Sequence, residues 1–287
     1  MYSRAIACHR GGAVGEDTMT TERWATDQRV VFRASFDEDP DAYDRTRPVA
    51  PDCVFDDAVQ LAGLQPGSMV VEIGLGTGQA TRPLAERGVR VLALEIGPHL
   101  AERARQNLVG FRDVTVRTTS FEAWDPGVAK FDAVFACNSF HWVNPDIAFV
   151  KAAAVLEPKG HLVVLATPWV IPDDAQRFWW DVQDDHVAVG GKCVDPATKH
   201  PDLVGDVGPA VRASGLFQQP ATTRYRFDVK FTADEYATNL STQSGIKELP
   251  PDARAELINR VRDRVEAQGG TLTAHLLAVL TAAQRAA

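Results

Sequence analysis

One short stretch, residues 69–81, limits what this chain can fold into more than any other. It reads Met-Val-Val-Glu-Ile-Gly-Leu-Gly-Thr-Gly-Gln-Ala-Thr. The β-branched and apolar residues before its first glycine are typical of a strand that is covered on both faces. Gly74, Gly76 and Gly78 then allow a tight bend and the close approach of a ligand. Residues 79–87 have helix-forming composition, so the stretch predicts a buried strand, a glycine turn and a helix.

The spacing of the glycines bears on which ligand the turn would hold. Nicotinamide and flavin sites typically carry G-x-G-x-x-G, with a diphosphate at the helix N-terminus. Here the third glycine comes one residue early, and position 79 is Gln. Glu72 lies just before the turn, where its charge would repel a diphosphate and attract a cation. We therefore expect a nucleoside that carries positive charge and no phosphate.

A motif E-x-G-x-G-x-G is formed by Glu72, Gly74, Gly76 and Gly78. It resembles the first motif of the class I (Rossmann-like) S-adenosylmethionine-dependent methyltransferases. The apolar run 89–94 and the Glu95 that ends it strengthen the resemblance, because an acidic residue about 20 positions on suits a pair of ribose hydroxyls. A solvated strand end is the alternative for Glu95. The resemblance covers about residues 40–280 and is strongest over 69–142.

The resemblance implies S-adenosyl-L-methionine as cofactor, with S-adenosyl-L-homocysteine as the product. Residues 43–48 are similar to a Y-D-x-x-R-P element, in which Tyr43 or Arg47 would close over the cofactor. An arginine there would pair with the cofactor's carboxylate; a surface arginine is the alternative. The other cofactor-binding residues that the resemblance implies are Ile96, Ser120, Phe121 and Asn138. Phe121 would stack on the base and Ser120 would hydrogen-bond its amine, with core packing the alternative for Phe121.

Polar and aromatic residues follow the predicted strand 131–137 as Asn-Ser-Phe-His-Trp-Val-Asn-Pro. Ligands in open α/β sheets bind beyond the carboxyl ends of the strands, so these residues are site candidates on geometry alone. The stretch lacks the N-P-P-Y-like signature of methylases of amide and adenine nitrogens, and F-H-W-V resembles the small-molecule branch. His141 is the candidate general base, since an unperturbed imidazole titrates near neutrality. A packed histidine bound to backbone is the alternative.

Periodicity places six further strands at 89–94, 114–117, 131–137, 161–166, 223–231 and 271–280. The predicted fold is α/β: a three-layer sandwich with a mostly parallel seven-stranded sheet, an antiparallel last strand and a helical, aromatic lid insertion. We divide the chain into a disordered extension (1–22, with Met19 an alternative start), a cofactor-binding core with N-terminal helices (23–167), a lid insertion (168–208) and the end of the core sheet (209–287), in which 232–268 adds a helical part to the lid.

The predicted lid is rich in large aromatic side chains. Trp169, Trp179 and Trp180 lie close together in the sequence, with Phe178 beside them. Such a wall suits an apolar or planar acceptor enclosed under the lid. A lid core that never touches substrate is the alternative.

Composition excludes several classes of partner. The net charge of −8 argues against a nucleic-acid substrate. The longest apolar run is too short for a membrane span. The cysteines, Cys8, Cys53, Cys137 and Cys193, are far apart and favour a reducing cytoplasm without disulfides. His186 and His200 lack partners at metal spacing, so no metal site is predicted.

The predicted function is methyl transfer from S-adenosylmethionine to a small-molecule acceptor, with O-methylation favoured. Two alternatives stay open. One is a nicotinamide-dependent oxidoreductase, and the other is a non-catalytic protein that binds S-adenosylmethionine without turnover.

Overall fold

The computed structural model describes residues 33–287. The expected disordered extension over residues 1–22 and the alternative start at Met19 lie outside the described residues.

Eight strands form one sheet in the described part of the chain. They are β1 (Met69–Ile73), β2 (Arg90–Glu95), β3 (Val114–Thr118), β4 (Phe131–Cys137), β5 (Leu156–Ala166), β6 (Trp169–Val170), β7 (Ala221–Thr232) and β8 (Thr271–Gln284). The order across the sheet is β3-β2-β1-β4-β5-β8-β7. The short strand β6 also pairs with β8, on the same side of β8 as β5. Among these strands β8 alone runs opposite to the rest, so the predicted, mostly parallel sheet with an antiparallel last strand is confirmed.

Strand β5 differs from its prediction at its start. It begins at Leu156, five positions before the predicted strand over 161–166. Its pairing with β4 shifts register between Leu156, opposite Phe131, and His161, opposite Ala133. Residues 157–160 therefore bulge out against the single residue Asp132. Extra residues of this kind leave the ladder locally unpaired, which is why the period-two pattern is lost there.

Ten helices accompany the sheet in the described chain. They are α1 (Pro40–Thr46), α2 (Asp52–Leu61), α3 (Thr81–Glu86), α4 (Pro98–Asn107), α5 (Pro145–Val155), α6 (Phe178–Ala188), α7 (Gly208–Ser214), α8 (Ala233–Ser241), α9 (Ser244–Lys247) and α10 (Pro251–Ala267). Several have proline in the first turn, where its missing N–H costs no hydrogen bond. Between residues 33 and 287, no helix combines the length and the apolar character needed to cross a membrane.

Helices cover both faces of the sheet and give three layers. On one face Phe55 of α2, Leu84 of α3 and Ala104 of α4 join one apolar core. On the other face Phe149 of α5 and Val211 of α7 join a second core. Because both faces are covered, the central strands read as continuous apolar runs rather than alternating ones.

A third apolar core lies between the segment after β5 and the helices that follow β7. Trp169, Phe178 and Trp179 pack around Tyr236 of α8, with ring centroids 5.8–6.1 Å apart. Phe231 at the end of β7 stacks on Trp169 at 5.9 Å. The aromatic residues that the sequence assigned to the lid therefore share one buried cluster with α8 and α10.

The parallel register sets where ligands can enter. Ile73 at the end of β1 is opposite Leu94 on β2 and Ala136 on β4. Glu95 directly follows Leu94, and Asn138 lies two residues after Ala136. The three strands thus end at one edge, where open α/β sheets bind their ligands.

Candidate active site

The carboxyl ends of β1, β2 and β4 open into a cavity of about 340 Å³, which we call the first cavity. It is lined by every residue that the sequence nominated for the site except Gly78. Those lining residues are Tyr43, Arg47, Glu72, Gly74, Gly76, Glu95, Ile96, Ser120, Phe121, Asn138 and His141. Residues nominated from separate stretches of the sequence therefore face one cavity.

The glycine turn after β1 is shaped by its neighbours as well as by its own backbone. Gly74 and Gly76 have φ of 65° and 60°, a region that side chains disfavour. A Cβ on Gly74 would lie 2.8 Å from the Cβ of Ser139, and one on Gly76 would lie 3.2 Å from the Tyr43 ring. At Gly78 the nearest atom would be Leu108 Cδ1 at 3.0 Å, so this third glycine allows close packing against the sequence after α4.

Glu95 ends β2 beneath the glycine turn. Its side chain is buried, and its two oxygens accept hydrogen bonds from the backbone N–H groups of Gly76 and Gly97, both at 2.9 Å. Burial raises the pKa of Glu95, and the two backbone hydrogen bonds oppose that rise. The carboxylate therefore braces the turn and lines the cavity at the same time. A solvated strand end, the alternative weighed from sequence, does not describe it.

Glu72 is the second buried carboxyl group of the cavity, with 1% of the residue exposed. Its Oε2 accepts a hydrogen bond from the Thr81 hydroxyl at 2.6 Å. Its Oε1 is buried and has no hydrogen-bond partner among the described residues. Burial raises the pKa of Glu72 to about 7, although the Thr81 hydrogen bond opposes the shift. An unpaired buried acceptor is costly, which fits a group kept for a cationic ligand.

Tyr43 and Arg47 reach the cavity from α1 and the residue after it. The Arg47 guanidinium lies 4.8 Å from the centre of the Tyr43 ring and donates to the backbone oxygen of Thr242 at 2.9 Å. Arg47 Nε is buried without a hydrogen-bond partner in the described chain. The side chain is therefore held inside the molecule, unlike the surface arginine weighed as the alternative, with one donor still available to a ligand.

Residues after β2 and β3 form another part of the wall. Ile96 is 39% exposed and directly follows the buried Glu95, so it offers apolar surface to the cavity. Ser120 Oγ accepts from the Ala123 backbone N–H at 3.1 Å. Phe121 is 1% exposed and packs on Trp124 with ring centroids 6.2 Å apart. Phe121 thus belongs to the core while also lining the cavity, and its stacking on a base stays a prediction.

Asn138 follows β4 in the left-handed region, with φ of 54°. Its Oδ1 accepts from the Thr167 backbone N–H and its Nδ2 donates to the Thr167 hydroxyl, both at 2.7 Å. These two bonds tie the end of β4 to the end of β5. Strained, over-determined residues of this kind cluster at functional sites.

His141 lies where the first cavity meets a second one. The second cavity has a volume of about 730 Å³ and shares His141, Trp142, Pro168 and Trp169 with the first. The rings of His141 and Trp142 are 4.8 Å apart. The remaining wall of the second cavity comes from residues 186–204 and 244–250.

Several lining residues have no signal in the sequence. Arg33 lines the first cavity and is held by Glu122, with a nitrogen–oxygen distance of 2.8 Å across 89 positions. Thr167 reaches the cavity just after β5, and Leu276 reaches it from within β8. Their place depends on pairings across the whole chain. Ser139, by contrast, directly follows Asn138 and sequence reasoning could have nominated it by position.

Comparison with known proteins agrees with this architecture. Residues 70–160 match the family model described as "Methyltransferase domain". Over 243 residues the chain is 26% identical to an uncharacterized methyltransferase of Mycobacterium tuberculosis, covering 83% of this chain and 88% of that protein. It is 33% identical over 140 residues to a demethylmenaquinone methyltransferase of Tropheryma whipplei, covering 46% of this chain and 57% of that protein.

The fold itself has a solved counterpart. A structure from Anaeromyxobacter dehalogenans, provisionally assigned as a type II methyltransferase, superimposes with a TM-score of 0.59 at 19% identity, covering 83% of this chain and 97% of the other. Fold, site and family match together define a class I, Rossmann-like methyltransferase. The chain is an S-adenosylmethionine-dependent methyltransferase, and S-adenosylmethionine is its cofactor.

The residues of the first cavity fit that cofactor. Glu72 Oε1 and Arg47 Nε are buried polar atoms without partners in the described chain, and they suit an ammonium and a carboxylate respectively. The missing side chains of Gly74 and Gly76 leave room that a Cβ would fill. Among the described residues no lysine lines this cavity, and the charge of Glu72 beside the glycine turn would repel a diphosphate.

Proposed function

We propose that this methyltransferase transfers a methyl group to a small-molecule acceptor bound in the second cavity, and that oxygen is the favoured acceptor atom. The observation that carries the proposal is the wall of four residues shared by the two cavities, His141, Trp142, Pro168 and Trp169. A cofactor in one cavity and an acceptor in the other would meet at that wall. Such placement of two reactants supplies much of the rate of a transfer reaction.

The first cavity would hold the cofactor by its polar ends. Glu72 would accept from the ammonium, Arg47 would donate to the carboxylate, and Glu95 would accept from the ribose hydroxyls. Ile96 and Phe121 would contact the base, with Ser120 at its amine. Bound S-adenosylmethionine supplies a methyl group that its sulfonium makes electrophilic.

His141 is the proposed general base. It lies on the shared wall, in the short helix Phe140–Trp142 at the end of β4. A hydroxyl becomes more acidic as it attacks, so an imidazole near it can accept the proton that is released. Trp142 and Trp169 flank the same point and would exclude water from it.

The acceptor is proposed to be apolar or planar in its main body. Trp142, Trp169, Ile246 and Leu249 line the second cavity and offer flat or aliphatic surface. The Tropheryma relative is named for demethylmenaquinone, a small molecule, as its acceptor. That name supports a small-molecule acceptor here as well.

Residues 168–208 and 232–268 are proposed to act as one lid. Both segments supply walls of the second cavity, and the aromatic cluster around Tyr236 joins them. A lid of this kind would close over the acceptor and leave the cofactor residues at the strand ends in place. The two alternatives weighed from sequence, a nicotinamide-dependent oxidoreductase and a binding protein without turnover, have no comparable support from the family match.

The cofactor assignment can be tested by calorimetry with S-adenosylhomocysteine. Glu95→Ala should weaken binding by roughly 1–3 kcal/mol, because the ribose hydrogen bonds are lost. Glu102→Ala, an exposed carboxylate on α4, is the matched control and should change nothing. Unaltered affinity in Glu95→Ala would refute the ribose assignment.

The acceptor proposal can be tested by following S-adenosylhomocysteine release with a panel of aromatic alcohols, amines and carboxylic acids. We expect turnover with at least one oxygen acceptor. With that acceptor, His141→Gln should lower kcat by roughly a hundredfold or more while cofactor affinity is kept. Turnover confined to nitrogen acceptors, or a His141→Gln variant with full kcat, would contradict the proposal.

A further inference from the structure

Two helices meet at their carboxyl ends beside the first cavity. Helix α1 ends at Thr46, and α8 ends at Ser241, with Thr242 as its C-cap residue. The last carbonyl groups of a helix have no partner within the helix and need donors from elsewhere. Each of these two helices takes such a donor from the other, although the bonded residues are 193 and 195 positions apart in the sequence.

The exchange is made by one side chain from each side. The Asn239 amide of α8 donates to the backbone oxygen of Thr46 at 2.9 Å. The Arg47 guanidinium, just after α1, donates to the backbone oxygen of Thr242 at 2.9 Å. Asn239 is fully buried, and its Oδ1 accepts from the Gln243 amide at 3.1 Å, which leaves its Nδ2 directed at Thr46. The two helix ends are therefore joined by a reciprocal pair of hydrogen bonds.

Arg47 is the side chain that this contact restrains. Its guanidinium also lies 4.8 Å from the centre of the Tyr43 ring and 5.7 Å from the centre of the Phe36 ring. An unrestrained arginine samples many rotamers, and ordering it at the moment of binding costs free energy. A guanidinium that is already held by a backbone oxygen and two rings avoids much of that cost. Its buried Nε, which has no hydrogen-bond partner among the described residues, is then available to a ligand in the first cavity.

We infer that Asn239 is a positioning residue for the contact between Arg47 and the carboxylate of the cofactor. By holding Thr46 against the end of α8, Asn239 fixes the backbone from which Arg47 extends and keeps the Thr242 oxygen within reach of the guanidinium. Arg47 then meets the carboxylate in an orientation that is set before binding. This inference rests on the proposed function, which places the carboxylate of the cofactor at Arg47.

The test is calorimetric binding of three nucleosides: S-adenosylhomocysteine, its decarboxylated analogue S-adenosyl-3-thiopropylamine, and 5′-methylthioadenosine. The decarboxylated analogue keeps the ammonium and lacks the carboxylate, so the ratio of the first two affinities reports the carboxylate contact. We expect S-adenosylhomocysteine to bind the wild type about tenfold tighter or more, as a charge-assisted hydrogen bond would give. Methylthioadenosine lacks both charged groups and reports the adenosine part of the site.

Asn239→Leu removes the amide donor at similar size. It should lower the affinity ratio by about threefold or more and leave the affinity for methylthioadenosine unchanged. A loss of stability alone would not change the ratio, because both ligands bind the same folded protein. Gln243→Met, at a less buried position, releases the Asn239 amide and decides the question if Asn239→Leu does not fold. Ser241→Ala is the matched control and should keep the ratio, because the Ser241 hydroxyl donates to the Thr238 oxygen inside α8.

Arg47→Met separates this inference from the proposal on which it rests. If Arg47→Met keeps the wild-type ratio, the carboxylate does not bind Arg47 and both are wrong. If Arg47→Met loses the ratio while Asn239→Leu keeps it, or Gln243→Met keeps it where Asn239→Leu does not fold, the inference alone is overturned. An equal fall of the ratio in Ser241→Ala, or a parallel fall in methylthioadenosine affinity in Asn239→Leu, would also overturn it, because the effect would not be specific to the carboxylate contact.

Discussion

Glu72 shows how a single buried group can be kept at a stability cost. Its carboxyl binds a proton more tightly in the folded protein, with a pKa of about 7, than at its ordinary value of 4.5. The folded state therefore holds more protons than the unfolded chain between those two values. Stability contributed by this group falls as the pH rises through that window.

Glu72→Gln should remove that pH dependence. We expect the variant to gain stability over the wild type as the pH rises from about 4.5 to above 7, by up to about 3 kcal/mol. Urea unfolding of the ligand-free proteins across this range measures the difference. Glu95 is present in both proteins, so the comparison isolates the change at Glu72 and its interaction with Glu95. A constant difference across the window would contradict the buried, shifted carboxyl.

Gly74 combines backbone strain with a steric limit. Gly74→Ala places a Cβ at φ 65°, 2.8 Å from Ser139. We expect a loss of about 2–4 kcal/mol, from the left-handed backbone and from overpacking. Gly127 is the matched control, with φ of 58° and no atom within 4 Å of the added Cβ, so Gly127→Ala should show the backbone cost alone. Equal losses in the two variants would mean that Ser139 does not limit the turn.

At the scale of elements, one ion pair joins the two segments of the proposed lid, between α6 and the long helix α10. Arg264 donates to both oxygens of Asp185 on α6, at 2.6 and 2.9 Å, and Asp185 is 6% exposed. The bidentate geometry fixes the two helices relative to each other. Neither Asp185 nor Arg264 lines the second cavity. If the two segments act as one lid, this ion pair supports the cavity from outside.

Arg264→Met should leave Asp185 buried without its partner and destabilise the protein by about 2–4 kcal/mol. The double variant Asp185→Leu with Arg264→Met should recover most of that loss, because no charge is left buried. Arg260→Met, which breaks an exposed pair with Glu256 on the same helix, should cost less than about 0.5 kcal/mol. Thermal unfolding measures all three, and a double variant as unstable as the single one would argue against this account.

At the scale of the whole molecule, cofactor choice should appear as a change in melting temperature. S-adenosylhomocysteine at about 100 times its Kd should stabilise the fold by about 2.7 kcal/mol, a shift in melting temperature of roughly 4–5 °C. Nicotinamide dinucleotides should produce no shift, because the buried Glu72 carboxyl lies just before the glycine turn that would hold their diphosphate. A shift with a dinucleotide and none with S-adenosylhomocysteine would reverse the assignment.

Much of the core fold and of the first cavity could be predicted because the signals are local. The glycines after β1 indicate a turn by their conformational freedom. Glu95 ends one parallel strand and Asn138 follows another, which places both at the same edge of the sheet. The start of β5 was mispredicted, since a bulge interrupts the period-two pattern there. The two-residue strand β6 carries too few residues to show any period at all.

The sequence by itself determined the strand–turn–helix unit at 69–81, the polar residues at the ends of β2 and β4, and the kind of ligand that a glycine turn beside a carboxylate accepts. Only the tertiary structure determines that a second cavity exists and which residues cover the first cavity. Arg47 reaches Thr242 across 195 positions, and residues 186–204 and 244–250 line one cavity although they are separate segments of the chain. Local conformation depends on neighbouring residues, whereas a cavity is bounded by groups whose proximity follows from the packing of the whole chain.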